Sequence, residues 1–337
     1  MLTSMKRSGA VIVVAAVSVV AVAATSRPTT ASAEAAGNTL AFIRNGEIRV
    51  TGLGSSVSRR LTYADGDVGE IAWSPDGRTI AFVRSYEGQS YSGPEPSEIS
   101  VIGADGSSLR RLTPRLPDVH GIVWSPDGRR LAFEQRDGGV FRVFVMSLQG
   151  QVRRQLAPRL PATDSPSWAP NGRKIVVSGT TTPGRLPIRS AIYTLDSDGR
   201  NLRQLTRKAE DTRPIWSPNG RRVLYERNRS VIRVMNADGS AHRGLAGGTL
   251  AAWSPDGGLI AFVRPGNTGN DIWTMSADGK RLRRLATNTY GPGPAWSPDG
   301  KMIAFVANNS IFVMNADGSR QRKVISEAIT SAWRPVS

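Results

Sequence analysis

The sequence predicts an all-β protein, a seven-bladed β-propeller made of four-stranded antiparallel blades. Three observations lead to this prediction: a motif that recurs about every forty residues, a second turn that recurs between its copies, and an incomplete repeat at each end. The motif is first complete at Trp73-Ser74-Pro75-Asp76-Gly77. Its near-copies begin at Trp124, Trp168, Trp216, Trp253 and Trp296, and a truncated copy stands at Trp333. Six blades are the alternative count.

The motif itself predicts a tight turn between two strands. Ser-Pro-Asp-Gly suits a type I turn, because proline at the second position already has the required φ and glycine at the last position tolerates a positive φ. The Asp positions of the other copies hold Asn171 and Asn219 in two cases. Asn keeps the turn geometry but carries no charge, so the repeated Asp predicts a structural role rather than a catalytic or metal-binding one.

Each repeat also predicts three further strands. The motif is followed by an apolar strand such as 80–83, and later by another such as 311–314. The second turn, Asn315-Ala316-Asp317-Gly318 in the last repeat, precedes a basic strand that ends in an apolar residue, as in 110–113. Four antiparallel strands in a repeat of this length are typical of a propeller blade.

The two incomplete repeats predict how the ring closes. Residues 39–43 align with 79–83, but no motif precedes them. The missing inner strand stands at the other end of the chain, where it ends at Trp333. One blade would then combine a C-terminal strand with three N-terminal strands, which leaves no open blade edge at the seam. We expect a single propeller domain over residues 34–337.

Residues 1–33 have the pattern of a secretory signal peptide. Lys6 and Arg7 precede an apolar run over 10–24, and Ala31-Ser32-Ala33 fits a cleavage site. We expect cleavage near Ala33, a secreted or periplasmic protein, and no integral membrane span in the mature chain; an uncleaved signal anchor is the alternative. The chain has no cysteine, which excludes disulfides, thiol catalysis and a lipoprotein anchor.

The chain is strongly basic, and its basic residues recur at one place in the repeat. The formal net charge is +17, of which Lys6, Arg7 and Arg27 lie within residues 1–33. Many of the others fall on the predicted outermost strands, at Arg59, Arg60, Arg110, Arg111, Arg153, Arg154, Arg203, Arg243, Arg283, Arg284, Arg322 and Lys323. Such charges either protect exposed strand edges from pairing or form a rim that binds an anionic polymer or membrane surface.

The repeated Trp-Ser-Pro-Asp-Gly, Ala-Asp-Gly and Arg-x-Leu-Thr motifs resemble the WD-like propeller repeat of the TolB family, which also occurs in prolyl-oligopeptidase-type enzymes. The resemblance covers essentially the whole predicted mature chain. In TolB the propeller is six-bladed, follows a separate α/β domain and docks protein partners in the periplasm. The resemblance therefore implies a periplasmic docking platform. No Gly-x-Ser-x-Gly motif of a peptidase accompanies the repeats here.

The loops indicate which face of the ring binds. Insertions at 85–97, 179–189 and 265–270 fall between the second and third strands of their repeats. In a four-stranded blade these loops emerge on the same face as the connections between blades, and long loops on a rigid frame often carry function. The candidate binding residues on this face are Tyr86, Tyr91, Asp118 and Tyr290.

A second set of candidates is predicted at the channel mouth on this face. Glu70 and Arg213 stand three residues before a motif Trp, and His120 and Asp164 stand four before. These four residues could form a binding funnel on a non-enzymatic protein- or envelope-binding scaffold. Alternatively, they could serve as acid, base and charge stabiliser in a lyase or hydrolase acting on an anionic glycan. The chain has two histidines, too few for a His-rich metal site, so we expect neither metal nor cofactor.

Overall fold

The computed structural model describes residues 38–63, 66–86, 95–149, 153–180, 189–207, 210–328 and 330–336. Within these ranges the regular structure is entirely β, and no helix there is long and apolar enough to cross a bilayer. The predicted signal peptide and Tyr91 lie outside the described residues. In chain order the strands are β1 (Thr39–Arg44), β2 (Glu47–Gly52), β3 (Arg59–Arg60), β4 (Asp67–Trp73), β5 (Thr79–Ser85), β6 (Pro96–Gly103), β7 (Arg110–Arg111), β8 (Leu116–Pro117), β9 (Val119–Trp124), β10 (Arg130–Asp137), β11 (Val140–Ser147), β12 (Arg153–Gln155), β13 (Ala162–Trp168), β14 (Lys174–Thr180), β15 (Ser190–Asp196), β16 (Arg203–Gln204), β17 (Asp211–Trp216), β18 (Arg222–Arg227), β19 (Val231–Asn236), β20 (Arg243–Gly247), β21 (Thr249–Trp253), β22 (Leu259–Pro265), β23 (Asn270–Ser276), β24 (Arg283–Thr289), β25 (Ala295–Trp296), β26 (Met302–Ala307), β27 (Ser310–Asn315), β28 (Arg322–Ser326) and β29 (Thr330–Trp333).

These strands form seven antiparallel sheets, the blades of a seven-bladed propeller. Blade 1 has the order β29-β1-β2-β3, and blade 2 has the order β4-β5-β6-β7 with β8 paired to β6. Blades 3 to 7 each take the next four strands in sequence, beginning at β9, β13, β17, β21 and β25. The seven-blade prediction is confirmed.

The predicted closure of the ring is also confirmed. Strand β29 pairs antiparallel with β1, and Trp333 lies opposite Leu40. The indole nitrogen of Trp333 donates to the carbonyl of Ala295 in blade 7 at 3.0 Å. The C-terminal strand therefore completes blade 1 and contacts blade 7 at the same time.

The motif turns are held by short side-chain hydrogen bonds. In blade 2 the Ser74 hydroxyl donates to Oδ1 of Asp76 at 2.6 Å, and the amide of Arg78 donates to the same oxygen at 3.0 Å. In blade 5, Oδ1 of Asn219 accepts equivalent bonds from Ser217 and Arg221. Since an amide oxygen replaces the carboxylate without loss of either bond, the turn requires the acceptor and not the charge.

A threonine of the repeat caps the outermost strand in three blades; blade 3 has Ala157 at this position, and its outermost strand is also short. In blades 1, 2 and 4 the hydroxyl of a threonine accepts a bond from a backbone amide of the third strand, as Thr113 does from Ile99 at 2.9 Å. The hydroxyl takes the place of a ladder carbonyl, and the outer strand ends there after two residues. In blades 5 to 7 the corresponding positions hold Ala246, Ala286 and Ile325, and β20, β24 and β28 continue past a bulge.

The hydrophobic core lies between the blades. Seven clusters of buried residues each combine side chains of two neighbouring blades, one cluster for each blade-to-blade interface. The motif tryptophans belong to these clusters. Trp124 shows the repeated contact, because its indole donates to the carbonyl of Ala72, the residue before the tryptophan of the preceding blade, at 2.9 Å.

The strand order gives the ring two different faces. The motif turns and the Ala-Asp-Gly turns lie on one face, which we call the short-turn face. The loops between second and third strands and the connections between blades lie on the opposite face, the long-loop face. The insertions near 85–97, 179–189 and 265–270 fall between β5 and β6, β14 and β15, and β22 and β23, as predicted. The strands reach into the ends of these insertions, since Ser85 pairs with Ser97 and Pro265 with Asn270.

Candidate functional site

A cavity of about 400 Å³ occupies the propeller channel beside the inner strands of blades 2 to 6. It extends from the channel mouth on the long-loop face to the tryptophans and prolines of the motif turns. Three of the four predicted channel-mouth residues, His120, Asp164 and Arg213, line it. Glu134, Phe141, Glu226 and Arg229 also line it and were not predicted as site residues.

A bulge in the inner strands positions the polar groups of this cavity. Residues three positions before the motif Trp have positive φ in blades 3 to 6, at Gly121 (62°), Ser165 (53°), Arg213 (50°) and Leu250 (52°). The strand register shifts at the same places. As a result these four backbone amides leave their own ladder and donate to the preceding blade, where the acceptors are Glu70, Glu134, Ser178 and Glu226.

Glu70 acts as the acceptor between blades 2 and 3. Its Oε1 accepts from the amide of Gly121 at 3.1 Å, and its Oε2 accepts from the amide of Ile122 at 3.3 Å. The Nδ1 atom of His120 lies 3.8 Å from Oε1, an ion-pair contact longer than a hydrogen bond. Burial lowers the pKa of His120, but the opposing effects of the Glu70 carboxylate, and of Glu134 and Asp118, leave that pKa raised. The imidazole therefore holds its proton more readily than a free histidine.

Glu134, which is buried, and Asp164, which is half-buried, form a carboxyl pair bridged by Ser165. The amide of Ser165 donates to Oε1 of Glu134 at 2.9 Å, and its hydroxyl donates to Oδ1 of Asp164 at 2.9 Å. Burial, together with the neighbouring charge of Asp164, raises the pKa of Glu134 to about 8. Burial also raises the pKa of Asp164, against the hydrogen bonds of Ser178 and Ser165. Glu134 is therefore mainly protonated at neutral pH and can donate a hydrogen bond.

The glycine at position 121 makes room for this pair. A Cβ atom at Gly121 would lie 2.6 Å from Oε1 of Glu134, and φ there is 62°. Both the close approach and the positive φ favour glycine.

Arg213 neutralises the acid on the far side of the cavity. Its Nη1 donates to Oε2 of Glu226 at 3.2 Å, while Oε1 of Glu226 accepts from the amide of Leu250 at 2.7 Å. Burial raises the pKa of Glu226, and the positive charge of Arg213 opposes that shift. The cavity wall thus carries His120 beside Glu70, then the carboxyl pair of Glu134 and Asp164, then the ion pair of Arg213 and Glu226.

The described loop-face candidates Tyr86, Asp118 and Tyr290 are not among the residues that line this cavity. The guanidinium of Arg115 stacks on the ring of Tyr86, with 3.8 Å from Cζ to the ring centroid. Asp118 accepts from Nε of Arg136 at 2.5 Å and from the amide of Glu95 at 2.6 Å. The Tyr290 ring is exposed, and its hydroxyl donates to the carbonyl of Thr268 at 2.6 Å. Their roles in binding, like those of the channel-mouth residues, stay predictions.

The sequence carried a signal for the two missed glutamates. The second strand of the repeat has an aromatic residue followed by valine at Val83, Val263 and Val306. At the same place blades 3, 4 and 5 have Glu134, Ser178 and Glu226. Three adjacent repeats that replace a buried valine by a polar residue mark the part of the channel where the cavity lies.

Comparison with other proteins gives local sequence similarity to peptidases. Over 59 residues the chain is 36% identical to the uncharacterized peptidase YuxL of Bacillus subtilis strain 168. That alignment covers 18% of this chain and 8% of the relative. The similarity is therefore to a small part of a much longer protein.

Solved structures share the fold over most of the chain. TolB from Acinetobacter baumannii superposes with a TM-score of 0.57 at 15% identity, covering 92% of this chain and 86% of that one. An oligogalacturonate lyase in complex with manganese superposes with a TM-score of 0.63 at 14% identity, covering 85% and 83%. At these identities the likeness concerns the fold alone.

The family assignment comes from the sequence. The sequence model of the TolB beta propeller domain family matches residues 34–250, well over half of the chain. Together with the repeated motif turns and the seven four-stranded blades, this match shows that the chain belongs to the TolB beta propeller domain family.

Proposed function

We propose that this protein is an exported, non-enzymatic scaffold that binds a protein or cell-envelope partner at its long-loop face, over the mouth of the channel cavity. The predicted signal peptide supports export. The polar cavity and the loops around its mouth support binding on this face.

The bonding of the carboxylates in and beside the cavity is the observation that carries the proposal. Glu70, Glu134 and Glu226 each accept a backbone amide from the next blade, so each connects two blades. A general base needs a free lone pair that reaches the substrate, whereas both oxygens of Glu70 and of Glu226, and Oε1 of Glu134, already accept hydrogen bonds within the frame. Rigid walls with fixed donors and acceptors suit recognition of a partner.

The alternative, a lyase or hydrolase acting on an anionic glycan, has less support. It requires a carboxylate and His120 within hydrogen-bond reach. Glu70 is near His120, but at 3.8 Å, and both of its oxygens already accept backbone amides.

The test is partner capture from envelope extract with matched variants. One variant replaces the segment between Ser85 and Ser97 by a short turn, which the pairing of these two residues permits. A second is Tyr290→Ala. Arg78→Gln on the short-turn face is the control. Melting temperatures establish that each variant is folded.

We expect the wild type and Arg78→Gln to capture one and the same protein, and the two long-loop variants to lose it while keeping their melting temperatures. A glycan-depolymerisation screen with wild type and His120→Ala runs in parallel. If both long-loop variants still captured the partner and glycan cleavage depended on His120, the proposal would be overturned in favour of a lyase or hydrolase acting on an anionic glycan.

A further inference from the structure

The short-turn face of the propeller is densely basic. Exposed arginine or lysine directly follows five of the six complete motif turns, at Arg78, Arg129, Arg173, Arg221 and Lys301. Among the described residues, none accepts a hydrogen bond from the guanidinium of Arg78, Arg129 or Arg221. These side chains are free to meet a partner.

A second row of arginines lies further out on the same face. Arg59 donates from Nη2 to the carbonyl of Ala104 at 2.6 Å, and Arg154 donates to the carbonyl of Asp198 at 2.6 Å. Arg322 reaches the carbonyl of Leu53 in blade 1 at 3.3 Å. Each of these outer-strand arginines thus contacts the second turn of the next blade, so part of the basic rim has a structural role. The exposed guanidinium groups still add their charge to the short-turn face.

The two rows form one continuous surface. Nη1 of Arg130, beside a motif turn, donates to the Ser197 hydroxyl in the second turn of blade 4 at 3.1 Å. The acidic residues of this face are mainly the turn aspartates, which accept hydrogen bonds within their own turns through Oδ1. In Asp105, for example, Oδ1 accepts the amide and the hydroxyl of Ser107. The five basic residues that follow the motif turns and the basic residues of the outer strands outnumber these aspartates, so the net charge of this face is positive.

Exposed aliphatic side chains stand within this basic surface. Val57 is 73% exposed, Leu109 is 54% exposed and Leu282 is 46% exposed. Leu109 and Leu282 directly precede the outer-strand residues Arg110 and Arg283, and Val57 precedes Arg59 by two positions. Protruding aliphatic groups add nothing to the binding of a linear polyanion. A lipid surface accommodates such groups between its headgroups while the arginines contact the phosphates.

We propose that the short-turn face is a docking surface for a bilayer that contains anionic phospholipid. Val57, Leu109 and Leu282 enter the headgroup region, and the surrounding arginines contact the phosphates. Because the two faces of the ring are opposite, the long-loop face then points away from the membrane. This inference uses a different face from the proposed function and does not depend on it.

The test is sedimentation with vesicles of phosphatidylcholine alone and of phosphatidylcholine mixed with phosphatidylglycerol. The charge variant is Arg78→Gln/Arg129→Gln/Arg221→Gln. Its control, Arg159→Gln/Arg189→Gln/Arg207→Gln, removes the same number of exposed charges from the long-loop side. The apolar variant is Leu109→Ser/Leu282→Ser. The predicted signal peptide is the same in every variant, so it cannot account for differences among them.

We expect the protein to bind mixed vesicles, with affinity that falls as salt rises. Each arginine removed from the short-turn face should weaken binding about fivefold, so the charge variant should lose about a hundredfold and its control far less. The apolar variant should bind vesicles more weakly but should still bind soluble heparin as the wild type does. Equal loss in the two charge variants would overturn the proposal, because it would show a response to net charge alone. Unchanged vesicle binding in the apolar variant would also overturn it, in favour of a polyanion site.

Discussion

The backbone amide of Ser165 donates a hydrogen bond of 2.9 Å to the carboxyl group of Glu134 in the preceding blade. The same relationship recurs between Gly121 and Glu70 and between Leu250 and Glu226. In each case a positive φ turns the amide out of its own strand. Glu134 and Glu226 therefore connect the second strand of one blade to the innermost strand of the next, and Glu70 connects two innermost strands. Polar groups in this channel wall must find such partners, because they lie beyond the apolar clusters between blades.

Glu134 should make the protein less stable as the pH rises. Its pKa is about 8 in the folded protein, against 4.5 for an ordinary glutamate. Between these values the folded state holds a proton that the unfolded state has released, so the free energy of unfolding falls as pH rises and levels off above pH 8. We expect Glu134→Gln to make this fall smaller, since the raised pKa values of His120, Asp164 and Glu226 still contribute to it, and to be more stable than wild type near pH 8 by roughly 1 to 3 kcal/mol. Urea unfolding of the wild type and the variant from pH 4.5 to 8.5 measures the free energy of unfolding of each.

Glu134→Val separates the charge from the hydrogen bond. Valine is the residue at this place in blades 2, 6 and 7, but it cannot accept the amide of Ser165. We expect the valine variant to be less stable than the glutamine variant at every pH by about 1 to 3 kcal/mol. Equal stability of wild type and Glu134→Gln across the whole range would contradict the raised pKa.

Gly121 should tolerate no side chain while Glu134 is present. Gly121→Ala places Cβ 2.6 Å from Oε1 of Glu134 at a φ of 62°. Gly138 has a φ of 57° and open space around the same position, so Gly138→Ala reports the backbone cost alone. We expect Gly121→Ala to lower the free energy of unfolding by at least about 1 kcal/mol more than Gly138→Ala. If thermal denaturation gives the same loss of stability for Gly121→Ala and Gly138→Ala, the carboxyl group of Glu134 does not require the absence of a side chain at position 121.

The repeat explains why the fold could be predicted and much of the cavity could not. Turn residues and strand alternation are local properties, and they were sufficient for the blades and for the closing strand that ends at Trp333. Because position relative to the motif Trp fixes depth in the blade, His120 and Asp164 could be placed at the channel mouth. Glu134 was missed because the second strand was treated as uniformly apolar. The bulge was not visible at all, since Ser165, Arg213 and Leu250 share no residue type that favours positive φ.

Removal of the closing strand should destabilise the whole ring. A chain that ends at Ala328 lacks β29, and with it the pairing to β1 and the contact of Trp333 with blade 7. It also leaves the Trp73 indole without the Ala332 carbonyl, which it contacts at 3.2 Å. We expect a loss of several kcal/mol, a large fraction of the stability of an ordinary domain, and a much lower melting temperature by circular dichroism.

Trp253→Ala is the control for the loss of one buried tryptophan without opening the ring. It should cost about 3 to 5 kcal/mol as a cavity mutation but leave the unfolding transition cooperative. The truncated protein should instead unfold over a broader range, because two blade edges are exposed. A truncated protein that melts as the full-length protein does would disprove closure by the shared blade.

Thr113 should contribute to the stability of the fold through its hydroxyl group. That oxygen accepts the buried amide of Ile99, which has no ladder partner after β7 ends. We expect Thr113→Ala to cost about 1 to 3 kcal/mol, whereas Thr113→Ser, which keeps the acceptor, should cost less. Equal losses in chemical denaturation would indicate that the methyl group, and not the hydrogen bond, matters.

The charge of the motif aspartates should affect stability only in acid. Oδ1 of Asp256 accepts the Ser254 hydroxyl at 2.5 Å and the amide of Gly258 at 2.9 Å, and these bonds lower the pKa of Asp256. A lowered pKa means that its stabilisation is present above the ordinary value of 3.8 and is lost as pH falls through the folded-state pKa.

Asn171 and Asn219 make the turn without a charge, so Asp256→Asn should change the free energy of unfolding by less than about 0.5 kcal/mol at pH 7. Below pH 4 the asparagine variant should lose less stability than wild type, while Asp256→Ala, which lacks the acceptor, should be less stable than both at pH 7. A large loss for Asp256→Asn at pH 7 would show that the turn needs the charge after all.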